Sequence, residues 1–328
     1  MRAAVITRPG GPEVLEIRDR PTPIPKSNEI LVRVRATALN RADLLQREGN
    51  YPAPPGSPAD IPGMEFAGEV EALGADVTQW RAADRVFGIV GGGGNAEYLV
   101  TDAQCVARVP DGLSWTDAAS IPEAFITAHD ALVVQAQVRG GERVLIHAVG
   151  SGVGLASVQL ARAWNATSFG TARTAEKIAR AREYGLADGV AIAGDPEAML
   201  THTEKWTDGK GVNVTLDLVG GPYLGASIRA SAPRGRIMLI GTVAGRSASV
   251  PVGMILGKRL TLKGTVMRAR GLEEKRAVTA AFAREVVPLV ASTAVRPTVD
   301  VVFDLADIAR AHERLASNET FGKVVLNV

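Results

Sequence analysis

A glycine-rich turn between an apolar run and a helix-like segment constrains the fold of this sequence more than any other feature. The apolar run at residues 143–148 leads into Gly150, Gly152 and Gly154, and apolar residues then recur at helical spacing through 153–164. Glycines allow a tight turn and let backbone N–H groups approach a pyrophosphate at the positive end of a helix. The turn therefore predicts a dinucleotide site, with a purely structural tight turn as the alternative.

The glycine spacing departs from the strict Gly-x-Gly-x-x-Gly fingerprint at one position. Leu155 stands where the third glycine would follow Gly150 and Gly152. The strand before the turn and the helix after it still supply the context that the fingerprint needs. We assign pyrophosphate contact to the turn at Gly150, Gly152, Val153 and Gly154.

A basic residue follows the turn at the distance where the adenosine ribose is recognised. Arg173 lies 19 residues after Gly154, and residues 170–175 contain no Asp or Glu. An acidic residue at this point favours NAD, whereas a cation accommodates the 2′-phosphate of NADP. We predict that Arg173, Thr174 and Lys177 hold that phosphate, so that NADPH is favoured over NADH. The alternative is that Arg173 and Lys177 are solvated residues at a helix start.

The sequence pattern divides the chain into three regions. Residues 1–122 carry short alternating or β-branched runs between turn-rich pieces, which is typical of a β-barrel or sandwich. Residues 123–266 alternate strand and helix patterns, which predicts a doubly wound parallel sheet. We expect the tail, 267–328, to return to the first domain. Its predicted elements are a helix at 272–291, a strand at 299–303, a helix at 306–316 and a strand at 323–328.

Two local predictions concern a turn and a strand. The glycine run at 91–94 predicts a hairpin or barrel turn, with a ligand loop as the alternative. A β-branched run predicts a strand at 190–193, within the parallel sheet.

Length, charge and cysteine content exclude several classes of protein. At about 150 residues per domain, the 328 residues suggest two domains. The 37 basic residues nearly balance the 35 acidic ones without a basic stripe, so no nucleic-acid partner is expected. The single cysteine, Cys105, excludes an internal disulfide framework and any zinc site with two thiolates, and it fits a cytoplasmic protein. Because no signal-peptide core and no run of about 18 apolar residues is present, we expect no membrane partner.

Five segments carry a resemblance to a known family. They are ALNRADLLQREGNYP at 38–52, GMEFAG at 63–68, IPEAFITA at 121–128, LVGG at 218–221 and FGKVVL at 321–326. On these segments the chain resembles the medium-chain dehydrogenase/reductases and, among them, the zinc-independent NADPH:quinone oxidoreductases, most of all their tumour-suppressor-inducible subgroup. The resemblance covers essentially the whole chain. It implies an α/β protein with a GroES-like β-barrel substrate domain (1–122 and 267–328), a Rossmann NADP(H)-binding domain (123–266) and an active site in the cleft between them.

The sequence departs from the zinc-dependent branch of this family at the ligand positions. Asn40 and Arg41 lie where that branch has its cysteine segment, and Met64 replaces its histidine. A catalytic zinc ion takes about three protein ligands, and the histidines of this chain show no ligand-like spacing. They are His129, His147, His202 and His312. We therefore expect no metal site.

The resemblance also implies contacts to both halves of the nucleotide. The family motif Ala-x-x-Gly-x-x-Gly falls on Ala148, Ser151 and Gly154, with serine in place of the middle glycine. Gly194 stands in the stretch where some bacterial relatives have a tyrosine near the adenosine. On the nicotinamide side the implied residues are Asn40, Thr127, Val219, Gly241 and Lys323.

Tyr51 is the predicted polariser of the acceptor oxygen. A quinone is easily reduced, so the protein need only align the hydride donor, exclude competing reactions and polarise the acceptor. The Tyr51 phenol stays protonated near pH 7 and donates a hydrogen bond. The Asn40 amide is expected to orient the acceptor or the ribose, and Asp43 to anchor local hydrogen bonds. The alternative for Tyr51 is a turn aromatic packed among the neighbouring prolines.

The sequence therefore predicts an NADPH-dependent quinone reductase that acts on a small-molecule quinone or enone, with a homodimer implied by the resemblance. One rival is a 2-enoyl-thioester reductase of the same superfamily, which shares the arrangement of Asn40, Asp43, Tyr51 and Pro52. That enzyme would need a basic entrance for its charged carrier, and no basic cluster is present. A rival of another class is a non-catalytic, crystallin-like NADPH-binding protein.

Overall fold

The computed structural model describes residues 1–192 and 194–328 of the chain. They form two compact units: unit 1 comprises Met1–Ile126 with Met267–Val328, and unit 2 comprises Thr127–Val266. Ala193, the last residue of the strand predicted at 190–193, lies outside the described residues. The assignment of substrate binding to the first domain and of NADP(H) binding to the second stays a prediction.

The first part of unit 1 consists mainly of short strands. Its strands are β1 (Arg2–Ile6), β2 (Leu15–Asp19), β3 (Glu29–Ala38), β4 (Glu65–Leu73), β5 (Arg85–Ile89), β6 (Tyr98–Asp102) and β7 (Val106–Arg108). Its helices are α1 (Arg41–Arg47) and α2 (Trp115–Ala119), and α3 (Pro122–His129) begins in unit 1 and ends in unit 2. A 3-10 turn at Pro12–Val14 precedes β2, and α3 continues into a π-helical turn at Asp130–Gln135.

Unit 2 alternates strands and helices. Its strands are β8 (Arg143–Ile146), β9 (Thr167–Ala172), β10 (Asp188–Ala191), β11 (Val212–Asp217), β12 (Ser231–Leu239) and β13 (Thr261–Gly264). Its helices are α4 (Gly152–Ala163), α5 (Ala175–Arg182), α6 (Met199–Thr207), α7 (Pro222–Ala230) and α8 (Val252–Lys258).

The strands described in unit 2 form one parallel sheet in the order β10-β9-β8-β11-β12-β13. This is the 3-2-1-4-5-6 order of a doubly wound Rossmann sheet. The order reverses between β8 and β11, and ligands of such sheets bind at the carboxyl ends of the strands beside the reversal. The Rossmann part of the predicted α/β fold is confirmed, and the glycine turn lies at the reversal because it follows β8.

The tail adds strands to the sheet of unit 1. Its elements are α9 (Leu272–Glu285), α10 (Val287–Ala291), β14 (Val299–Asp304), a 3-10 turn (Leu305–Asp307), α11 (Ile308–Ala316) and β15 (Lys323–Asn327). In the described chain the main sheet has the order β14-β15-β3-β4-β5-β7, and β6 also pairs with β3. Lys323, the first residue of β15, therefore belongs to the same sheet as β3 and β4.

The prediction of one continuous helix at 272–291 is wrong, because the structure has two helices there. The first ends at Glu285 and the second begins at Val287. Pro288 explains the break, because proline donates no backbone hydrogen bond and its ring collides with the carbonyl four residues earlier.

The glycine run at 91–94 is not a hairpin turn. It joins β5, which pairs with β4 and β7, to β6, which pairs with β3. The run is buried, and glycine suits this connection because neighbouring backbone comes close. A Cβ atom at Gly94 would lie 2.9 Å from the Glu65 carbonyl oxygen.

Each unit has its own apolar core. In unit 1 the core includes Ile30, Val34 and Phe66, and in unit 2 it includes Leu145 and Val212. Burying a side chain of this size contributes about 1.5–3 kcal/mol. These cores fix β4 and β8, whose ends carry the residues of the candidate sites.

Candidate functional site

The turn after β8 is held by the side chain that begins α4. The Ser151 hydroxyl donates to the Ala148 carbonyl at 2.8 Å and accepts the Gly154 N–H at 3.1 Å. Ala148 has a φ of +53°, a conformation that alanine rarely adopts. Ser151 therefore satisfies the third N–H of the helix while it closes the turn.

The backbone of the turn packs directly against Gly154, as it does against the third glycine of the fingerprint. A Cβ atom there would lie 2.4 Å from the Ala148 oxygen and 2.8 Å from the Val149 Cα. Any side chain would push α4 away from the turn. Leu155, which breaks the strict pattern, is buried in the core instead.

The first turn of α4 fits an anion. The first N–H groups of a helix have no partner inside it, and Ser151 satisfies only the one at Gly154. Among the described residues no acceptor takes the N–H of Gly152 or Val153. Both residues are partly exposed. Two N–H groups at the positive end of a 12-residue helix are suited to a pyrophosphate.

The predicted 2′-phosphate residues lie together beside this turn. Thr174 begins α5, and its hydroxyl accepts the Lys177 N–H at 3.3 Å. The Lys177 stem covers Gly150 so closely that a Cβ atom at Gly150 would lie 3.0 Å from Lys177 Cδ. Arg173 is exposed directly before Thr174. The structure thus brings two cations and a hydroxyl to one helix start.

The loops after β11 and β12 bring Val219 and Gly241 close together. Asp217 accepts the N–H groups of Val219 and Gly220 on one carboxylate oxygen, at 2.9 and 2.8 Å. A Cβ atom at Gly241 would lie 2.3 Å from the Leu218 oxygen. Both predicted nicotinamide-side residues therefore lie at the carboxyl edge of the sheet.

The remaining nicotinamide-side residues lie elsewhere in the chain. Thr127 is buried in α3 at the start of unit 2, whereas Asn40 and Lys323 belong to unit 1. Contact of any of these residues with the nucleotide stays a prediction.

Asn40 and Lys323 form a buried polar cluster with Glu65. The Lys323 ammonium lies 2.6 Å from Glu65 Oε1 and donates to Asn40 Oδ1 at 2.5 Å. The Asn40 amide donates to the same Glu65 oxygen at 2.9 Å. The other Glu65 oxygen accepts the Glu123 N–H at 2.8 Å. The Asn40 side chain is therefore already occupied on both its oxygen and its nitrogen.

Asp43 anchors the backbone around this cluster, as predicted from the sequence. Its carboxylate accepts the Asn40 N–H at 2.7 Å and the Gly63 N–H at 3.0 Å. Burial raises the pKa of Asp43 to about 6, although these two hydrogen bonds and the charges of Arg268 and Lys323 act to lower it.

Tyr51 lies beside an arginine that the sequence analysis did not single out. The Arg268 guanidinium carbon lies 5.2 Å from the Tyr51 ring centre, within the range of a cation–π contact. The Tyr51 hydroxyl makes no hydrogen bond within the described residues. Burial raises the pKa of Tyr51, so the phenol remains a donor at neutral pH. No local signal pairs these residues, because they are 217 positions apart.

A small depression in unit 1 lies next to Arg268. Its lining residues are Met64, Ile89, Val90, Glu123, Met267, Arg268 and Lys275. Met64, which stands where zinc-dependent relatives have a histidine, thus contributes an apolar wall.

Two other chemically notable residues, His147 and Cys105, lie in surroundings that give them a structural role. His147 is fully buried between the hydroxyls of Thr171 and Ser227, and burial lowers its pKa. Burial raises the pKa of Cys105 to about 11, so its thiol is unreactive.

Across residues 1–192 and 194–328, no group of three or more His, Cys, Asp or Glu residues is placed to hold a metal ion. None of the described helices combines the length and apolar character needed to cross a bilayer.

Comparison with known proteins identifies relatives over the whole chain. Residues 26–111 match the alcohol dehydrogenase GroES-like domain, which confirms that part of the predicted fold, and residues 152–284 match the zinc-binding dehydrogenase family. A quinone oxidoreductase of Pseudomonas aeruginosa is 36% identical over 97% of this chain and 96% of its own. A quinone oxidoreductase of Homo sapiens is 28% identical over 99% and 97%.

Solved structures agree with these relatives. A mycobacterial protein in complex with NADPH superposes with a TM-score of 0.90 and 30% identity, over 100% of both chains. The Escherichia coli quinone oxidoreductase in complex with NADPH gives a TM-score of 0.87 and 29% identity, also over 100% of both chains.

Proposed function

The chain belongs to the quinone oxidoreductase family of the medium-chain dehydrogenase/reductase superfamily, and from that premise we propose that it is a zinc-independent, NADPH-dependent quinone reductase. The observation that carries the proposal is the anion site of unit 2, where the glycine turn and the basic start of α5 lie side by side. The acceptor site is assigned to unit 1, around Tyr51.

NADPH fits the residues of unit 2. The N–H groups of Gly152 and Val153 would hold the pyrophosphate, and Arg173, Thr174 and Lys177 would hold the 2′-phosphate by charge and hydroxyl donation. NADPH, when bound, supplies the hydride. The relatives solved with NADPH make the same nucleotide the expected one here.

Tyr51 is proposed to polarise the acceptor oxygen. Its hydroxyl is available and protonated, so it can donate to a quinone oxygen as negative charge develops there. The Arg268 charge beside the ring strengthens that donor by making the phenol more acidic than burial alone would. Protons for the product come from water, so no dedicated acid is needed.

Zinc independence is proposed from the chemistry of the side chains at the family's ligand positions. Asn40 and Met64 are poor zinc ligands compared with cysteine and histidine. Glu65 is paired with the Lys323 ammonium, and Asn40 is bound to both. The space used by a metal centre in zinc-dependent relatives is thus assigned to a hydrogen-bonded cluster and an apolar wall.

A homodimer is proposed from an uncovered edge of unit 2. Strand β13 pairs with β12 on one side, and no described strand pairs with its other side. The adjacent helix α8 has no buried residue, and Val252 and Leu256 are 59% and 73% exposed. A second copy related by a two-fold axis would cover both features. Location in the cytoplasm stays a prediction.

An acceptor panel tests the proposed activity. Purified protein is mixed with NADPH, or with NADH as the control, and an ortho-quinone, a para-quinone or a short 2-enoyl-CoA. We expect quinone-dependent oxidation with NADPH preferred. Turnover of the enoyl-CoA alone would replace the proposal by a thioester reductase, and NADPH binding without turnover of any acceptor would leave a binding protein.

A further inference from the structure

Tyr223 lies on the first turn of α7, at the carboxyl edge of the sheet in unit 2. The chain leaves β11 through Gly220 and Gly221, whose φ angles of +69° and +55° turn it sharply. Pro222 then begins the helix, a position that suits proline because the N–H it lacks would have no partner inside the helix. The turn therefore places Tyr223 close behind the end of β11.

The Tyr223 ring packs against the residue that precedes the glycine turn. Its centre lies 5.0 Å from the centre of the His147 ring, and the two ring planes are nearly perpendicular, at 79°. His147 is itself held by the hydroxyls of Thr171 and Ser227, each at 2.9 Å. Tyr223 is therefore fixed beside the turn that is proposed to hold the pyrophosphate.

Tyr223 also lies within electrostatic range of Arg173. Burial raises the pKa of Tyr223 and the Asp217 charge raises it further, whereas the Arg173 charge lowers it. In NADPH the adenine is bonded to the ribose carbon next to the one that carries the 2′-phosphate. A 2′-phosphate on Arg173 would therefore bring the adenine close to Tyr223.

The Tyr223 side chain has ring surface and a hydroxyl that its neighbours in the described chain do not use. A perpendicular contact covers at most one face of the ring, and the residue is partly exposed. The hydroxyl has no hydrogen-bond partner among the described residues, although a buried tyrosine usually finds one. The ring also packs against the apolar core that includes Leu145 and Met199, so its position is set before a ligand binds.

We propose that Tyr223 is an adenine-binding residue of unit 2, with its ring packed against the base of NADPH while Arg173 holds the adjacent 2′-phosphate. This inference rests on the proposed function for the identity of the nucleotide. Binding of the adenine itself needs no turnover, so it can be measured without a quinone.

Calorimetric binding of adenosine 2′,5′-bisphosphate and adenosine 5′-diphosphate to the full chain tests the adenine contact. Tyr223→Leu and Tyr223→Met fill the apolar contact without a planar ring. We expect either change to raise Kd about tenfold or more, because the packing of a base on an aromatic ring is lost. The increase should be equal for the two ligands, since they share the base and differ at the 2′-phosphate.

Two further variants separate recognition of the base from a purely structural role of the side chain. Tyr223→Phe keeps the ring, and its Kd for both ligands should stay within about threefold of the wild-type value. Tyr184→Leu replaces another partly exposed tyrosine of unit 2, which follows the last turn of α5, and should bind both ligands as wild type does.

Wild-type affinity in Tyr223→Leu and Tyr223→Met would overturn the adenine contact, because apolar packing alone would then account for the residue. An equal loss in Tyr223→Phe or in Tyr184→Leu would overturn it as well. So would a loss confined to adenosine 2′,5′-bisphosphate, or a wild-type protein that binds neither ligand.

The result is separate from that of the acceptor panel. Nucleotide binding that depends on the Tyr223 ring, without quinone turnover, would uphold the adenine contact and remove the reductase proposal. Quinone turnover with the same nucleotide affinity in Tyr223→Leu and wild type would do the reverse.

Discussion

The Tyr51 hydroxyl has no partner among the described residues, so it is available to an acceptor oxygen. Tyr51→Phe removes that donor and keeps the ring on Arg268. We expect a roughly 10- to 100-fold lower kcat with quinones, because a hydrogen bond to a developing charge contributes about 1.5–3 kcal/mol. The Kd for NADPH should not change. Tyr98→Phe, on β6, is the control, and wild-type kcat in Tyr51→Phe with every quinone tested would contradict the assigned role.

Asp43 makes the stability of the protein depend on pH in a direction set by burial. Its pKa is raised from 3.8 to about 6, so the folded state binds the proton more tightly than the unfolded state. Its contribution is fully present below about pH 4 and is lost as pH rises through about 6. At 1.36 kcal/mol per pKa unit, the loss is about 3 kcal/mol.

Urea unfolding of wild type and Asp43→Asn between pH 4 and pH 7 measures this effect. The free energy of unfolding of wild type should fall with pH relative to that of Asp43→Asn, which does not titrate. Asp111→Asn, at an exposed position, should follow wild type. Parallel curves for wild type and Asp43→Asn would show that the carboxyl does not titrate in this window.

The contacts of single residues could be predicted from the sequence only where the partners are close along the chain. Asp43 was predicted as a local anchor because it follows Asn40 by one helical turn, and its hydrogen bond to Asn40 is that contact. The partners of the Asn40 side chain, Glu65 and Lys323, lie 25 and 283 positions away. Arg268 is equally remote from Tyr51. The Lys323 contact depends on the register of β15 against β3 and the Glu65 contact on that of β4 against β3, and no local spacing encodes either register.

At the scale of elements, the starts of α4 and α5 form the nucleotide site. Arg173→Gln removes one cation from the start of α5 without changing the Thr174 cap. We expect KM for NADPH to rise about tenfold or more, because a charge-assisted contact to phosphate is lost, while KM for NADH stays within about twofold. Arg8→Gln, at an exposed position of unit 1, is the control. An equal rise for both nucleotides would mean that Arg173 does not recognise the 2′-phosphate.

Elements with a strong local pattern were predictable, and those set by distant pairing were not. The strand, turn and helix at 143–164 agree with β8 and α4 to within two residues at each end. The glycine run at 91–94 resembled a hairpin turn because its neighbours in sequence are strands. Those strands pair with other partners, and pairing across a sheet cannot be read from turn residues alone.

At the scale of the whole molecule, the proposed homodimer depends on the uncovered edge of unit 2. Leu256→Glu places a charge in the apolar surface of α8, where it would be buried without a partner in the dimer. Light scattering should show the mass of a dimer for wild type and the mass of one chain for Leu256→Glu. Ile24→Glu, at an 87% exposed position of unit 1, should remain dimeric. A dimer that survives Leu256→Glu would place the interface elsewhere.

The most direct test of NADPH-dependent quinone reduction is the anaerobic stoichiometry of the reaction with purified protein. NADPH and an ortho-quinone are mixed with and without protein, and NADPH loss and hydroquinone formation are followed together. We predict protein-dependent formation of one hydroquinone for each NADPH consumed, with NADH consumed more slowly. Quinone that remains oxidised while the protein binds NADPH would contradict the assigned function.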